Sequence, residues 1–217
     1  MGYGVQAGMR KVLFGLMLGV GAVPAAAEPV LIAALGDSLT QGYGLPVDDG
    51  FVPQLQNWAR AKGADVTLIN AGVSGDTTAG GAARIGWTLT PDVDGLIVTL
   101  GGNDLLRGLA PDMTRRNLTE ILDTAQSAGV AVLLIGMQAP GNYGVEYKTN
   151  FDAIYPDLAD QFDTLYVPSF FSALGEDPAS IIALMQGDGI HPNAEGVSLI
   201  VEAIGPTVLE LIERAEN

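Results

Sequence analysis

The chain contains a single histidine, His191, with an aspartate three residues before it in the segment Gly-Asp-Gly-Ile-His-Pro. A serine, Ser38, follows the first apolar segment, in Gly-Asp-Ser-Leu. An imidazole titrates near neutral pH, so it can take a proton from a serine hydroxyl and return it. A carboxylate on the second ring nitrogen fixes the tautomer and the orientation that this transfer needs. We therefore predict that Ser38, His191 and Asp188 act as nucleophile, general base and orienting carboxylate.

The developing negative charge on an attacked carbonyl oxygen needs fixed hydrogen-bond donors. The backbone N–H groups of Ser38 and Gly75 and the side-chain amide of Asn103 are the candidates, because each follows a predicted strand. The alternative role for such glycine turns is to bind a phosphate group. The turn before Ser38 matches neither a Walker loop nor a dinucleotide fingerprint, and the negative charge of its aspartate would repel a bound anion.

Each candidate also has a structural explanation of its own. Ser38 or Asp188 could cap a helix, and Gly75 or Asn103 could serve only to form a turn. The combination favours catalysis, because an aspartate three residues before the only imidazole matches what an activated serine requires. A metal site at Asp188 and His191 is disfavoured, since the chain has no cysteine and no second histidine. We expect neither a metal nor a cofactor.

The first 27 residues have the features of a signal peptide. Arg10 and Lys11 precede an apolar run at residues 12–23, and three alanines at residues 25–27 resemble a cleavage site. The run is shorter than the ~20 apolar residues of a membrane-spanning helix. We predict removal of residues 1–27, which leaves a periplasmic or secreted protein without stable membrane insertion; a retained N-terminal anchor is the alternative.

The remaining 190 residues of the 217 suit one domain at residues 28–217. They carry eight Lys and Arg against 25 Asp and Glu, a formal net charge of −17. A phosphate backbone would be repelled by such a surface, so nucleic acid is not an expected partner. The acidic surface is consistent with high solubility and with a saline habitat.

Short, continuous apolar runs alternate with amphipathic segments along the domain. This pattern predicts parallel strands buried on both faces and helices packed against them, in a three-layer α/β/α sandwich. Ligands of such a sheet bind beyond the carboxyl ends of its strands. The strands are predicted at residues 30–35, 66–70, 95–100, 131–137 and 164–168, and the helices at residues 51–62, 77–89, 114–128, 151–162 and 194–214.

Four segments, in this order, resemble the sequence blocks of the SGNH (GDSL) hydrolases. They are Gly-Asp-Ser-Leu from residue 36, Val-Ser-Gly-Asp-Thr from residue 73, Gly-Gly-Asn-Asp from residue 101, and Asp-Gly-Ile-His-Pro from residue 188. The resemblance covers nearly all of residues 30–215. Within the family, the chain is most similar to bacterial periplasmic multifunctional esterases with arylesterase, acyl-CoA thioesterase and lysophospholipase activities.

The resemblance implies a flavodoxin-like fold with strand order 2-1-3-4-5. It also implies the triad Ser38, Asp188 and His191, with Gly75 and Asn103 beside Ser38 as oxyanion donors. The substrates implied are small aryl esters and short to medium acyl esters, thioesters or lipids. The loops at residues 105–109 and 138–141 depart from the family pattern, which leaves the preferred acyl chain length open.

Apolar residues after the Asn103 turn and after the fourth strand are candidates for substrate binding, because ligands occupy this edge of the sheet. Ordinary packing explains such residues equally well. Two other functions remain open: a carbohydrate O-acetylesterase, which would need a polar groove with exposed aromatic residues, and a non-catalytic binding module, which would not need an intact triad. The candidate substrate-binding residues are Leu105, Leu106, Leu109 and Tyr143.

Overall fold

A computed structural model of the chain describes residues 1–4, 28–175 and 177–216. Most of the predicted signal peptide lies outside these residues. None of the helices in these residues combines the length and the apolar composition that a membrane span requires.

The described residues contain a five-stranded parallel sheet with strand order β2-β1-β3-β4-β5. This confirms the predicted fold and the strand order that the family resemblance implies. All five residues of the third strand are buried, as expected for a central parallel strand covered on both faces. The strands are β1 (Val30–Gly36), β2 (Val66–Gly72), β3 (Gly95–Thr99), β4 (Ala131–Ile135) and β5 (Leu165–Val167).

Helices cover the sheet in two groups. Helix α2 packs against α9, while α3 and α7 both pack against α5. Their apolar sides and the strands form one continuous core. The helices are α1 (Ser38–Gln41), α2 (Phe51–Ala61), α3 (Thr78–Thr88), α4 (Gly102–Leu106), α5 (Pro111–Ser127), α6 (Val145–Asp152), α7 (Ile154–Phe162), α8 (Pro178–Ala183) and α9 (Ala194–Ala215), and short 3₁₀ turns lie at Val47–Asp49, Gly141–Tyr143 and Ser172–Leu174.

The helix expected at residues 151–162 is two helices, α6 and α7, which meet at Ala153. Pro156 lies in the first turn of α7 and has no N–H to donate to the carbonyl four residues earlier. The hydrogen-bond ladder is therefore interrupted at the junction. Helix α6 also begins six residues before the predicted helix.

Strand register brings three loops to the same edge of the sheet. Strand β1 pairs with β2 as far as Gly36 opposite Gly72, and with β3 as far as Gly36 opposite Thr99. The carboxyl ends of the three strands are therefore level. The loops that follow them contain Ser38, Gly75 and Asn103, so the register alone places these residues near one another.

Candidate active site

Ser38 is the first residue of the short helix α1, and Asp37 alone separates it from strand β1. The Asp37 side chain caps this helix, because its Oδ1 accepts a hydrogen bond from the Leu39 N–H at 3.0 Å. The helix lies tightly against the end of β2: a Cβ on Gly72 would come within 2.3 Å of the Gln41 nitrogen. Ser38 is 9% exposed and lies at the carboxyl edge of the sheet. The close packing of α1 against β2 restricts its movement there.

The structure brings Ser38, His191 and Asp188 together as a hydrogen-bonded chain. His191 Nδ1 lies 2.6 Å from Asp188 Oδ2, and His191 Nε2 lies 2.8 Å from Ser38 Oγ. With a carboxylate accepting at Nδ1, the ring proton belongs on Nδ1, and Nε2 is the acceptor for the serine hydroxyl. This is the arrangement that proton transfer from Ser38 requires.

Asp188 remains a carboxylate because several groups donate to it. The His191 ring donates to Oδ2, and the backbone N–H groups of Ile190 and His191 donate to Oδ1 at 2.9 and 3.0 Å. These hydrogen bonds, the ring first, hold the pKa of Asp188 well below its usual range. The negative charge of Asp188 therefore persists through neutral pH, next to the ring nitrogen that it orients.

Gly75 occupies a turn that only a residue without a side chain adopts easily. Its φ is +79°, and the turn is closed by a hydrogen bond from the Asp76 N–H to the Val73 carbonyl at 3.0 Å. The Gly75 carbonyl accepts a hydrogen bond from Arg107 Nη2 at 2.7 Å. The turn thus presents backbone to the pocket and is tied to the residue that follows α4.

The buried carboxylate of Asp104 fixes the position of helix α4, which carries Asn103. Asp104 accepts hydrogen bonds from the Thr78 N–H at 2.8 Å, the Thr78 hydroxyl at 2.5 Å and the Thr114 hydroxyl at 3.2 Å. These partners belong to α3 and α5. Asp104 therefore joins three helices, which holds Asn103 in place on the pocket side.

Ser38, Gly75 and Asn103 face one pocket of about 650 Å³. Its polar side holds the hydrogen-bonded chain and the three candidate oxyanion donors, and the remainder of the wall is largely apolar. This combination suits an uncharged acyl group held beside a nucleophile. The apolar and aromatic lining residues are Leu39, Tyr43, Leu105, Leu106, Met137, Phe171 and Ile190.

Of the four predicted substrate-binding residues, Leu105 and Leu106 line this pocket. Leu109 and Tyr143 are not among its lining residues. The Leu109 carbonyl accepts a hydrogen bond from the Tyr147 hydroxyl at 2.9 Å, and the Tyr143 ring packs against the Tyr147 ring at 4.9 Å. A role for any of the four in binding substrate stays a prediction.

Several residues of the pocket were not predicted from the sequence. The Tyr43 ring lies 4.8 Å from the His191 ring, and Phe171 and Ile190 complete the wall on that side. Two of them had a signal in the sequence: Tyr43 follows Ser38 by five residues, and Ile190 adjoins His191. Phe171 follows the weakly predicted fifth strand, so only the folded chain shows that it lies beside the pocket.

Comparison with known proteins places the chain in a family. The model of the GDSL-like lipase/acylhydrolase family matches residues 34–199. The chain belongs to this family. Esterase TesA of Pseudomonas aeruginosa is 39% identical over 189 residues, covering 87% of this chain and 91% of that protein. Thioesterase 1/protease 1/lysophospholipase L1 of Escherichia coli is 36% identical over 189 residues, covering 87% and 86%.

Solved structures agree with this assignment. The crystal structure of AlinE4, described as an SGNH-hydrolase family esterase, superposes with a TM-score of 0.71 at 44% identity, over 86% of this chain and 98% of that one. The resemblance found in the sequence is thereby confirmed. The chain is a carboxylic ester hydrolase of the GDSL-like family.

A second carboxylate of this GDSL-like hydrolase, Asp37, lies beside the candidate oxyanion donors. Asp37 is 2% exposed, and its Oδ2 accepts a hydrogen bond from Asn103 Nδ2 at 3.2 Å. Burial raises the pKa of Asp37 to about 6, although the hydrogen bonds from Leu39 and Asn103 and the charge of His191 lower it. One amide proton of Asn103 is thus directed to Asp37, and the other is left for the pocket.

The raised pKa of Asp37 makes stability depend on pH. The folded chain holds this proton up to about pH 6, while the unfolded chain releases it near the ordinary aspartate pKa of 3.8, so the Asp37 contribution to stability is lost as pH rises. Between about pH 4 and about pH 7.5 the loss should reach roughly 2 to 3 kcal/mol.

Urea unfolding of the wild type and of Asp37→Asn at both pH values measures this difference, and titration of the groups that do not interact with Asp37 cancels in the comparison. We expect the wild type to lose stability relative to the variant as pH rises. The same pH dependence in both proteins would show that Asp37 titrates normally in the folded state.

Proposed function

We propose that the chain is an exported serine esterase that works through an acyl-enzyme on Ser38. The observation that carries the proposal is the hydrogen-bonded chain from Ser38 Oγ through His191 to Asp188, at 2.8 and 2.6 Å, beside a largely apolar pocket. The hydrogen bonds supply an activated hydroxyl and the pocket supplies a place for the acyl group.

In the first half of the reaction, the Ser38 oxygen attacks the ester carbonyl carbon while its proton passes to His191 Nε2. The carbonyl π electrons move to the oxygen and form a tetrahedral intermediate. The C–O or C–S bond to the leaving group then breaks, and the leaving alcohol or thiol takes the proton from Nε2. Asp188 favours the transient imidazolium, because it remains ionised and hydrogen-bonded to Nδ1.

The oxyanion of the intermediate is stabilised by the N–H groups of Ser38 and Gly75 and by the Asn103 amide. Ser38 begins a helix, where the first N–H groups have no acceptor within the helix. Asn103 already donates one proton to Asp37, so its orientation is set before substrate binds. Donors fixed in advance need no rearrangement as the charge develops, which is why they lower the barrier.

In the second half, water replaces the leaving group. His191 Nε2 takes a proton from the water, whose oxygen attacks the acyl carbon bound to Ser38. The second tetrahedral intermediate breaks its bond to the Ser38 oxygen, and Nε2 returns the proton to that oxygen. The carboxylic acid leaves, and the enzyme regains its starting protonation state.

Aryl esters and short to medium acyl esters or thioesters are the proposed substrates. A pocket of about 650 Å³ accommodates such groups, and Leu105, Leu106 and Met137 offer an apolar surface to an acyl chain. The name of the Escherichia coli relative, thioesterase 1/protease 1/lysophospholipase L1, supports thioesters and lysophospholipids as members of this substrate class.

Export rests on the sequence of the first 27 residues. The pattern of basic residues, a short apolar run and three alanines supports cleavage after Ala27 and a mature chain that begins at Glu28. The proposed destination is the periplasm or the medium.

N-terminal sequencing of the protein expressed with its full leader tests cleavage. We expect Glu28 as the first residue, in the periplasmic or extracellular fraction. Recovery of the uncut chain with membranes would instead support a retained anchor.

Two variants test the proposed roles at Ser38 and Asn103 with p-nitrophenyl acetate. Ser38→Ala should abolish turnover, because no acyl-enzyme can form. Asn103→Ala should lower kcat by roughly 10² to 10³ with little change in KM, since the lost donor acts mainly on the transition state. Wild-type turnover by Ser38→Ala would disprove the mechanism, and a raised KM at unchanged kcat would make Asn103 a ground-state binding residue.

Chain-length profiles test the acyl surface. Leu106 is 59% exposed and lines the pocket, so Leu106→Ala should lower kcat/KM for octanoyl esters by about 10-fold relative to acetyl esters. Leu199→Ala is the control, because Leu199 lies on α9 and is not a lining residue of the pocket. Equal losses for both esters would remove Leu106 from the acyl path. Leu109→Ala, measured in parallel, tests whether that path extends to Leu109.

A further inference from the structure

The loop that carries His191 is largely exposed to solvent, although the proposed catalysis depends on its position. It connects α8 to α9, and the Asp188 side chain is 37% exposed while Ile190 is 46% exposed. Nevertheless, His191 Nε2 must stay within hydrogen-bond distance of Ser38. The exposed part of this loop has little packing to restrain it, so hydrogen bonds contribute to its position.

Backbone hydrogen bonds close the loop upon itself. The Gln186 N–H donates to the His191 carbonyl at 2.7 Å, and the Asn193 N–H donates to the Leu184 carbonyl at 2.8 Å. These bonds define the shape of the loop. They do not fix its position relative to Ser38, because both partners of each bond belong to the loop.

The side chain of Gln186 makes the connection to the nucleophile. Its Nε2 donates to the Tyr43 carbonyl at 2.8 Å and to the Pro192 carbonyl at 3.0 Å. Tyr43 lies in the turn that ends α1, and its N–H donates to the Ser38 carbonyl at 3.0 Å. The Gln186 carboxamide therefore links Pro192, the residue after His191, to Tyr43, which is hydrogen-bonded to the Ser38 carbonyl.

The turn after Ser38 has space for this carboxamide because Gly44 has no side chain. A Cβ on Gly44 would lie 2.2 Å from Gln186 Oε1, and the φ of Gly44 is +76°. Both acceptors are carbonyl oxygens, so the bridging group must offer two protons from one atom at this reach. A glutamine does so, whereas a glutamate or a methionine of similar length does not.

We infer that Gln186 is a positioning residue of the esterase, which sets the distance between Ser38 Oγ and His191 Nε2 by tying the His191 loop to the turn after Ser38. The inference rests on the proposed function, because it assigns His191 as the base for Ser38. Gln186 touches no reacting atom. Its effect is on the geometry of proton transfer, where a displacement of about 1 Å can cost on the order of 10²-fold in rate.

Gln186→Met tests the inference, because methionine keeps the length of the side chain and removes both donated protons. Gln54→Met is the matched control: Gln54 Nε2 also donates to two carbonyls, those of Asp49 at 2.8 Å and Ala194 at 3.2 Å, but neither belongs to the catalytic residues. We expect kcat for p-nitrophenyl acetate to fall about 10-fold or more in Gln186→Met, with KM within about 2-fold of wild type. Gln54→Met should keep kcat within about 2-fold.

The single histidine provides a second, spectroscopic measurement. The ¹⁵N shift of His191 Nε2, recorded at a pH where the ring is neutral, reports whether the Ser38 hydroxyl donates to it. In Gln186→Met this shift should move toward its value in Ser38→Ala, because Nε2 loses the same hydrogen bond in both variants. In Gln54→Met it should match wild type.

Several results would overturn the inference. They are a folded Gln186→Met with kcat within about 2-fold of wild type, an unmoved Nε2 shift, or an equal fall in kcat for Gln54→Met. Should Gln186→Met not fold, Gln186→Glu is judged by the same measurements. Wild-type activity of Ser38→Ala would reject the proposed function itself, so the two failures are distinguishable.

Discussion

One hydrogen bond, from Ser38 Oγ to His191 Nε2 at 2.8 Å, joins residues that are 153 positions apart in the chain. A contact of this length tolerates little displacement at either end. The fold satisfies the requirement with a parallel sheet, because all its strands deliver their carboxyl ends to the same edge. Ser38 lies two residues after the last residue of the interior strand β1, whereas His191 reaches the site from the segment before the last helix.

Hydrogen bonds between polar groups within the protein fix the loops at this edge. The Arg84 guanidinium donates to Asp76 at 2.7 Å, to the Ala71 carbonyl at 2.6 Å and to the Gly36 carbonyl at 2.8 Å. It thereby joins the ends of β1 and β2 to the turn that contains Gly75. Together with the buried Asp104, it keeps the candidate donors in place without substrate, which is the condition for electrostatic stabilisation of a transition state.

The sequence predicts the sheet well because buried parallel strands are short, continuous apolar runs, and four of the five are easily recognised. Periodicity does not give the strand order, which came from the family resemblance. The arrangement of Ser38, Asp188 and His191 was predictable because a single imidazole leaves one candidate base, and an aspartate three residues earlier is near it in any turn. The structure supplies the distances.

Contacts between distant segments were not predictable. Gln186 contacts Tyr43 only because the fold brings two loops from opposite ends of the chain together at the sheet edge. Neither segment has a sequence feature that predicts contact with the other. Leu109 shows that closeness in the sequence does not decide which residues line the pocket. It is close to Asn103 in sequence, but α4 turns the chain so that Leu105 and Leu106 line the pocket and Leu109 does not.

Covalent trapping shows whether Ser38 is the nucleophile of the esterase. Attack of Ser38 on a p-nitrophenyl alkylphosphonate would expel p-nitrophenolate and leave a phosphonyl group on the serine oxygen. If Ser38 is the nucleophile, one p-nitrophenolate is released per chain, esterase activity is lost in parallel, and the mass increase is confined to the peptide that contains Ser38. A modified peptide elsewhere, or full activity after complete labelling of Ser38, would contradict this role of Ser38.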